Sequence, residues 1–124
     1  MRFYYNGNLI RTSRTHHYTH ALLNSRGGAV MCSAKRSACE SFKQSAINHC
    51  LQGIENGKSA IKALEAKRGG YWRKEGRKTE WYSFSELEEW GMRPKAKYEE
   101  IIAEMEHKLQ LFQSWQIVEI EERD

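Results

Sequence analysis

The apolar residues of this 124-residue chain change their spacing near Ser37, and this change limits the folds that the chain can adopt. Before that point, short β-prone runs are separated by turn residues, as in antiparallel strands. After it, helical spacing separates the apolar positions Ala38, Phe42, Cys50 and Ile54. A chain that begins with strands and continues with helices predicts an α+β fold class.

The first strands are predicted around two turns. Two β-prone runs within residues 2–12 flank Asn6-Gly7, the pair favoured in two-residue type I′ turns, so a β-hairpin is expected there. Residues 16–23 form another β-prone stretch, residues 24–28 (NSRGG) a turn, and residues 29–33 a short apolar strand. Together they predict an N-terminal antiparallel three-strand meander.

A helix is predicted from Ser37, where Glu40 three residues later completes a capping-box pattern. Asn56-Gly57 indicates a stop or a kink, and residues 59–68 a second helical piece that Gly69-Gly70 ends.

A second hairpin is predicted over residues 71–84, with Glu75-Gly76 as its turn. Ser85 and Glu88 form another capping-box pattern, which opens a short helix that Gly91 closes.

The clearest helix is predicted over residues 95–114, because Pro94 suits a first helical turn. A stripe of apolar positions spaced 4-3-4-3 indicates either core packing or the seam of a homodimer; its members are Tyr98, Ile102, Met105, Leu109 and Phe112. Residues 115–122 alternate and predict a last strand. The expected whole is one domain over residues 1–124, an antiparallel sheet packed against two longer helices.

Charge is strongly separated along the chain although the net charge is only +4. Residues 1–78 hold 15 Lys/Arg and 4 Asp/Glu, whereas residues 79–124 hold 5 Lys/Arg and 12 Asp/Glu. This separation, from +11 to −7, predicts a basic surface for anionic partners. The alternative is that the acidic part binds, by imitating nucleic-acid phosphates in a basic groove of an effector protein.

Neither the cysteines nor any motif indicates catalysis. Cys32, Cys39 and Cys50 are loosely spaced, which favours reduced thiols over disulfides or a zinc site. His49 beside Cys50 makes a poor catalytic dyad, because neighbouring helical side chains point in different directions. The sequence holds no P-loop, GxGxxG, HExxH or GxSxG motif. A protein that is not an enzyme and needs no cofactor or metal is therefore expected.

Two groups of residues are candidate binding sites. The segment KRGGYWRKEGRK, residues 67–78, combines cations for phosphates, glycines for close backbone approach and aromatic rings for stacking. The first predicted contact patch lies there and consists of Trp72, Arg73, Lys74, Arg77 and Lys78. Solvated hairpin residues with core-facing aromatics are the structural alternative.

A second patch is predicted near the N-terminus, where histidines could hydrogen-bond phosphate or a base; it consists of Arg14, His16, His20 and Arg26. In a strand, His16 and His20 would share one face and His17 would lie on the other. A metal site would need further ligands that the sequence does not supply.

The N-terminal organisation resembles that of small bacteriophage anti-defence proteins. The resemblance rests on FYYNGNLIRTS, on HYTHALLN and on the cysteine-containing strand before a helix. Such proteins include anti-CRISPR proteins and the sponges that sequester nucleotide signals of the Thoeris system. The resemblance implies stoichiometric binding without turnover.

The expected function is therefore a non-catalytic, phage-encoded inhibitor of a bacterial defence system. It would bind an effector protein, or the effector's nucleic-acid or nucleotide ligand, in the bacterial cytoplasm. No membrane partner is expected, since no apolar run is long enough to span a bilayer. A homodimer through Tyr98, Ile102, Met105 and Leu109 is an open alternative.

The rival function is a small DNA- or RNA-binding regulator. Residues 81–96 (WYSFSELEEWGMRPKA) resemble the helix-turn-helix region of excisionase-like proteins, although three glutamates there would face phosphate poorly.

Overall fold

The chain is an α+β protein, as the change of apolar spacing predicts. A computed structural model describes residues 1–66, 70–91 and 93–123. Its strands are β1 Arg2–Tyr5, β2 Asn8–Thr12, β3 His20–Leu23, β4 Ala29–Ser33, β5 Gly70–Glu75, β6 Lys78–Ser83, β7 Gln116–Glu119 and β8 Glu121–Arg123. Its helices are α1 Arg36–Glu65, α2 Phe84–Glu89 and α3 Pro94–Gln113. Antiparallel sheets of three, three and two strands confirm the predicted fold class.

The chain divides into two compact units, which are described separately. The first unit consists of Met1–His49 and His107–Asp124, and the second of Cys50–Glu106. The long helices α1 and α3 each contribute residues to both units.

The hairpin at Asn6-Gly7 is confirmed. β1 and β2 pair antiparallel with Tyr5 opposite Asn8, which leaves the two predicted residues as the turn. Asn6 has a φ of 49° and Gly7 a φ of 79°, the pair of positive angles that a type I′ turn requires.

The predicted three-strand meander is wrong, because the N-terminal strands form two hairpins in two different sheets. β1 and β2 belong to a sheet of order β2-β1-β8, and β3 and β4 to a sheet of order β4-β3-β7. The predicted single last strand is interrupted at Ile120, whose N–H donates to the Thr19 carbonyl. Each hairpin therefore gains its third strand from the end of the chain, a pairing that local sequence does not encode.

The core of the first unit is built from strands and the residues beside them. Phe3, Ala21, Leu23 and Ile120 form its buried cluster, and Tyr18 contacts Phe3 edge to face with ring centroids 5.2 Å apart. On β3, Leu22 is also fully buried, although alternate side chains of a strand point to opposite faces. Strand β3 is therefore buried on both faces.

Helix α1 runs unbroken for 30 residues, so the predicted stop at Asn56-Gly57 is wrong, while the alternative of a kink there stays a prediction. Gly57 is buried, and a Cβ added there would lie 2.6 Å from Cγ1 of Ile102 on α3. The glycine thus allows close helix approach and does not end the helix. The helix ends at Glu65, while Lys67–Gly69 lie outside the described residues.

The Ser37 capping box is also not formed. Helix α1 begins one residue earlier, at Arg36, and Ser37 lies within its first turn. Glu40 does not reach back to the backbone but pairs with Arg36, whose Nε lies 3.1 Å from Oε1. The i,i+4 ion pair has replaced the reciprocal cap.

The second capping box exists, but two residues earlier than predicted. Ser83 caps α2 by accepting a hydrogen bond from the Glu86 N–H, and the Glu86 carboxylate accepts one from the Ser83 N–H, both at 3.2 Å. Ser85 is therefore a helical residue and not a cap. Gly91, with a φ of 80°, follows the helix as expected.

We expect Ser83→Ala to lower the free energy of unfolding by about 1 kcal/mol, because the first turn of α2 loses its cap. Ser85→Ala, two residues along, removes the same hydroxyl without touching the cap and is expected to change stability by less than about 0.5 kcal/mol. Urea unfolding followed by circular dichroism measures both. A larger loss in the Ser85 variant would contradict the observed cap.

Helix α3 begins at Pro94, as predicted, and most of its predicted stripe residues within the second unit have partners in the chain. Tyr98 packs against the buried pair Leu64 and Leu87, Ile102 lies over Gly57, and Met105 lies over Gly53. The predicted role was core packing on the sheet, whereas these contacts are with α1 and α2, and the homodimer stays a prediction. Among the described residues, no helix is both long and apolar enough to cross a membrane.

Candidate nucleic-acid interface

The β5–β6 hairpin carries the first predicted contact patch. Trp72 lies opposite Trp81, Arg73 opposite Glu80, and Glu75 opposite Lys78. The turn is therefore Gly76-Arg77 and not the predicted Glu75-Gly76. Gly76 has a φ of 59°, as the first position of a type II′ turn requires.

Charge explains this register. A turn at Glu75-Gly76 would place Arg73 opposite Lys78 and Lys74 opposite Arg77, and directly opposed like charges destabilise a strand pair. The observed register instead puts an acidic residue opposite Arg73 and another opposite Lys78.

One face of the hairpin is aromatic and largely exposed. Trp72 and Trp81 lie side by side on it, with ring centroids 5.5 Å apart and an interplanar angle of 63°. Trp72 is 66% exposed and Trp81 49% exposed, although the two rings contact each other. Lys74 and Thr79, the opposed pair two residues further along, share this face because side chains alternate along a strand.

Gly70 leaves the room that the Trp81 ring needs. A Cβ on Gly70 would lie 2.7 Å from Cζ2 of Trp81 and 2.8 Å from Cε2, closer than any stable carbon contact. The indole therefore lies against bare backbone on one side and the Trp72 ring on another. This packing fixes the two rings as one surface, called the tryptophan face below.

The opposite face of the hairpin is a set of balanced charges. Arg73 Nε lies 3.1 Å from Glu75 Oε1, and the Tyr82 hydroxyl donates a 2.7 Å hydrogen bond to Glu80 Oε2. This hydrogen bond is the main cause that raises the pKa of Tyr82. The four charged residues enclose a space of only about 20 Å³, room for one water and not for a phosphate.

The structure thus divides the five predicted patch residues. Trp72 and Lys74 lie on the tryptophan face, Arg73 and Lys78 lie on the charged face, and Arg77 lies in the turn between the strands. All five are exposed. Two further cations of the predicted segment, Lys67 and Arg68, lie outside the described residues.

Trp81 belongs to the site although it was not among the predicted patch residues. Its signal was available, since counting outward from Gly76-Arg77 pairs it with Trp72 across the hairpin. The misplaced turn shifted each pairing by two residues and put Thr79 in its place.

The second predicted patch is not one continuous strand surface. His16 and His17 precede β3, because the chain bends at residues 13–15, where the His16 N–H donates to Ser13 Oγ. The predicted strand placement of these two histidines is therefore wrong. Arg14 lies in the same bend and is exposed.

The three histidines have separate partners. His16 stacks on Tyr18 with ring centroids 5.9 Å apart, while His17 Nδ1 lies 3.1 Å from Glu122 Oε2. His20 Nδ1 lies 2.8 Å from Thr19 Oγ1, whose hydroxyl donates to the Ala34 carbonyl. Because that hydroxyl has one proton, His20 donates from Nδ1 and its Nε2 is left as the acceptor when the ring is neutral.

Arg26 is separated from the other members of its predicted patch. It lies in the turn that follows β3, whereas His20 is the first residue of that strand. There it lines a groove of about 360 Å³ together with Leu111, Phe112 and Trp115. The four predicted residues therefore do not form a single contact surface.

The thiols are poorly placed for nucleophilic chemistry. Cys39 and Cys50 are buried, and Cys32 is half-buried. Burial raises the pKa of Cys32, an effect that Arg11 partly offsets, and burial also raises the pKa of Cys39. Thiols with raised pKa values are largely protonated at neutral pH and react slowly.

Within residues 1–66, 70–91 and 93–123, His, Cys, Asp and Glu side chains form no group of three that could hold a metal ion. Comparisons of the chain with known protein families, with curated proteins and with solved structures find no match. The geometry of the site is therefore the basis for assigning its chemistry.

Proposed function

We propose that the protein is a non-catalytic binding protein that holds single-stranded nucleic acid on its tryptophan face. The observation that carries this proposal is the pair Trp72 and Trp81, which lie side by side and exposed with Lys74 on the same face. Exposed adjoining indoles beside a cation are what single-strand binding surfaces use, because every base has a face that can stack.

The indoles and the cations have different roles in this proposal. Stacking of a base on an aromatic side chain contributes about 1–3 kcal/mol and discriminates little between bases. Lys74 shares the tryptophan face and Arg77 lies in the turn at the end of the hairpin. Neither forms an ion pair with another described residue, so their charge is available to phosphates. Arg73, by contrast, is already paired with Glu75.

The cellular role proposed with this activity is inhibition of a bacterial defence system by a phage-encoded protein. Binding the nucleic-acid ligand of an effector would prevent its use without turnover. The basic first part of the chain and the resemblance to anti-defence proteins support this role, as does the absence of a catalytic motif in the sequence.

A second candidate is direct docking of an effector protein on the same face. The exposure of Trp72, at 66%, favours it, because tryptophan is enriched among the residues that dominate protein interfaces. A groove-binding DNA regulator is less well supported, since α2 has only six residues and its three glutamates are all exposed.

We expect Trp72→Ala to weaken binding of a fluorescein-labelled oligo(dT) by about tenfold, as the loss of one stacked base implies. The matched control is Trp90→Ala, which removes another exposed indole, one that lies after α2, outside the tryptophan face, and contacts Tyr82. Fluorescence anisotropy measures both. Equal losses in the two variants would contradict the assignment of the face.

Salt dependence separates the two candidates. Two phosphate contacts predict a slope of about −1.4 for the logarithm of the affinity against that of salt concentration. Arg77→Ala should reduce that slope by about 0.7, whereas Arg73→Ala should leave it nearly unchanged. No binding to oligo(dT) at low salt would reject the nucleic-acid proposal and favour an effector protein as the partner.

A further inference from the structure

A cleft of about 330 Å³ lies in the first unit, between the β1–β2 turn and the β3–β4 turn. Its polar lining consists of Asn6, Asn8, Asn24, Ser25, Ser114 and Gln116. Although 29% of the chain is charged, none of the described residues that line the cleft carries a charge. The volume is at the lower end of those of small-molecule sites, which are about 300–1,000 Å³.

Most of these polar side chains are not used by the fold. Within the part of the chain that the structure describes, Asn6, Asn8, Ser25 and Gln116 have no side-chain hydrogen bond to another residue. The carboxamides of Asn8 and Gln116, in addition to that of the turn residue Asn6, are thus available to a ligand. Each has N–H donors and an oxygen acceptor.

Two other lining residues, Asn24 and Ser114, are held in place by hydrogen bonds within the protein. Each still has one kind of hydrogen-bonding group that can contact a ligand. Asn24 Oδ1 accepts hydrogen bonds from the backbone N–H groups of Arg26 and Gly28, at 3.0 and 2.9 Å, which leaves its amino group as donor. Ser114 Oγ donates to the Leu111 carbonyl at 2.6 Å, which leaves its lone pairs as acceptors. The cleft therefore offers a fixed donor and a fixed acceptor.

The other described lining residues are Tyr5, Ile10, Leu23 and Gly27, so this part of the wall is apolar apart from the Tyr5 hydroxyl. Tyr5, Ile10 and Leu23 line the cleft and also belong to or pack against the core of the first unit. Ile10 is the unpaired residue of a β-bulge, since Phe3 lies opposite Arg11 and Tyr4 opposite Leu9. Bulges redirect side chains and are frequent beside binding sites.

We propose that this cleft binds a nucleobase. A nucleobase is uncharged, as the described lining is. The donors and acceptors on its edges match the carboxamides and hydroxyls of the cleft, and its apolar faces match the apolar wall. A phosphate does not fit the lining, because none of its described residues is a cation. The site is in the first unit and involves none of the hairpin residues of the proposed single-strand interface.

Titration of the ¹⁵N-labelled full chain with uridine, guanosine, adenosine and cytidine tests the proposal by NMR, with glucose as a neutral polyol control. We expect at least one nucleoside to shift the side-chain amide signals of Asn8 and Gln116 in a saturable way. The double variant Asn8→Ala/Gln116→Ala should bind that nucleoside at least tenfold more weakly. Asn48→Ala, which removes an exposed carboxamide from α1, should bind it unchanged.

The variant Trp72→Ala/Trp81→Ala should still bind the nucleoside in a saturable way. That result supports nucleobase binding in the cleft, whether or not the tryptophan face binds nucleic acid. The proposal is overturned if no nucleoside shifts the cleft signals of the wild-type protein, or if glucose shifts them at lower concentration. It is also overturned if the double variant keeps its dispersed spectrum and its affinity.

Discussion

Replacement of Phe3 by alanine is expected to lower the free energy of unfolding by about 3–5 kcal/mol. Phe3 is fully buried in β1, packs in one cluster with Ala21 and Ile120, and contacts the Tyr18 ring edge to face. The truncation removes the apolar contact and leaves a cavity among rigid strands. Since whole domains are stable by about 5–15 kcal/mol, this loss would remove a large part of the stability of the protein.

The matched control for Phe3 is Leu9→Ala in the neighbouring strand. Leu9 is 55% exposed, so its truncation should change stability by about 0.5 kcal/mol or less. Urea unfolding followed by far-ultraviolet circular dichroism compares the two variants. A loss below about 1.5 kcal/mol for Phe3→Ala would mean that the core of the first unit is not centred on this side chain.

Features encoded by adjacent residues were predictable from sequence. The turn at Asn6-Gly7 needs two positive φ angles, and few residue pairs supply them at low cost. Pro94 opens α3 because its fixed φ suits a first turn. Ser83 and Ser85 show the limit of this reasoning, because each has an acidic residue three positions later and only the end of β6 selects between them.

Features that depend on distant residues were not predictable in this way. Strands β7 and β8 join different sheets on either side of Ile120, although residues 115–122 look like one alternating strand. The candidate site differs in this respect. Its segment was predicted, and the Trp72–Trp81 pair could have been predicted as well, because the cross-strand charges that favour its register lie in the same hairpin.

The sequence around Gly57 predicts the end of a helix, but packing against α3 determines the role of this glycine. Its replacement is the second change for which we expect a large effect on stability. We expect Gly57→Ala to destabilise the protein by about 1–3 kcal/mol, even though alanine in place of a helical glycine normally contributes about 1 kcal/mol of stability. The new Cβ would lie 2.6 Å from Ile102 Cγ1. That atom cannot swing away, because a β-branched side chain in a helix is restricted to essentially one χ1 rotamer.

Gly53→Ala supplies the matched control, one turn earlier on the same helix. Its Cβ would meet the side chain of Met105 at 3.2 Å, and methionine, being unbranched and flexible, can move aside. The same substitution with the same gain in helix propensity should therefore be neutral or stabilising by up to about 1 kcal/mol.

Chemical denaturation of both variants and of Gly57→Ala/Ile102→Ala completes the comparison. In the double variant the loss should be smaller than the sum of the losses of the two single changes, because the alanine at 102 removes the atom that clashes. Strict additivity, or a stabilising Gly57→Ala, would show that α1 and α3 are not held together at this glycine.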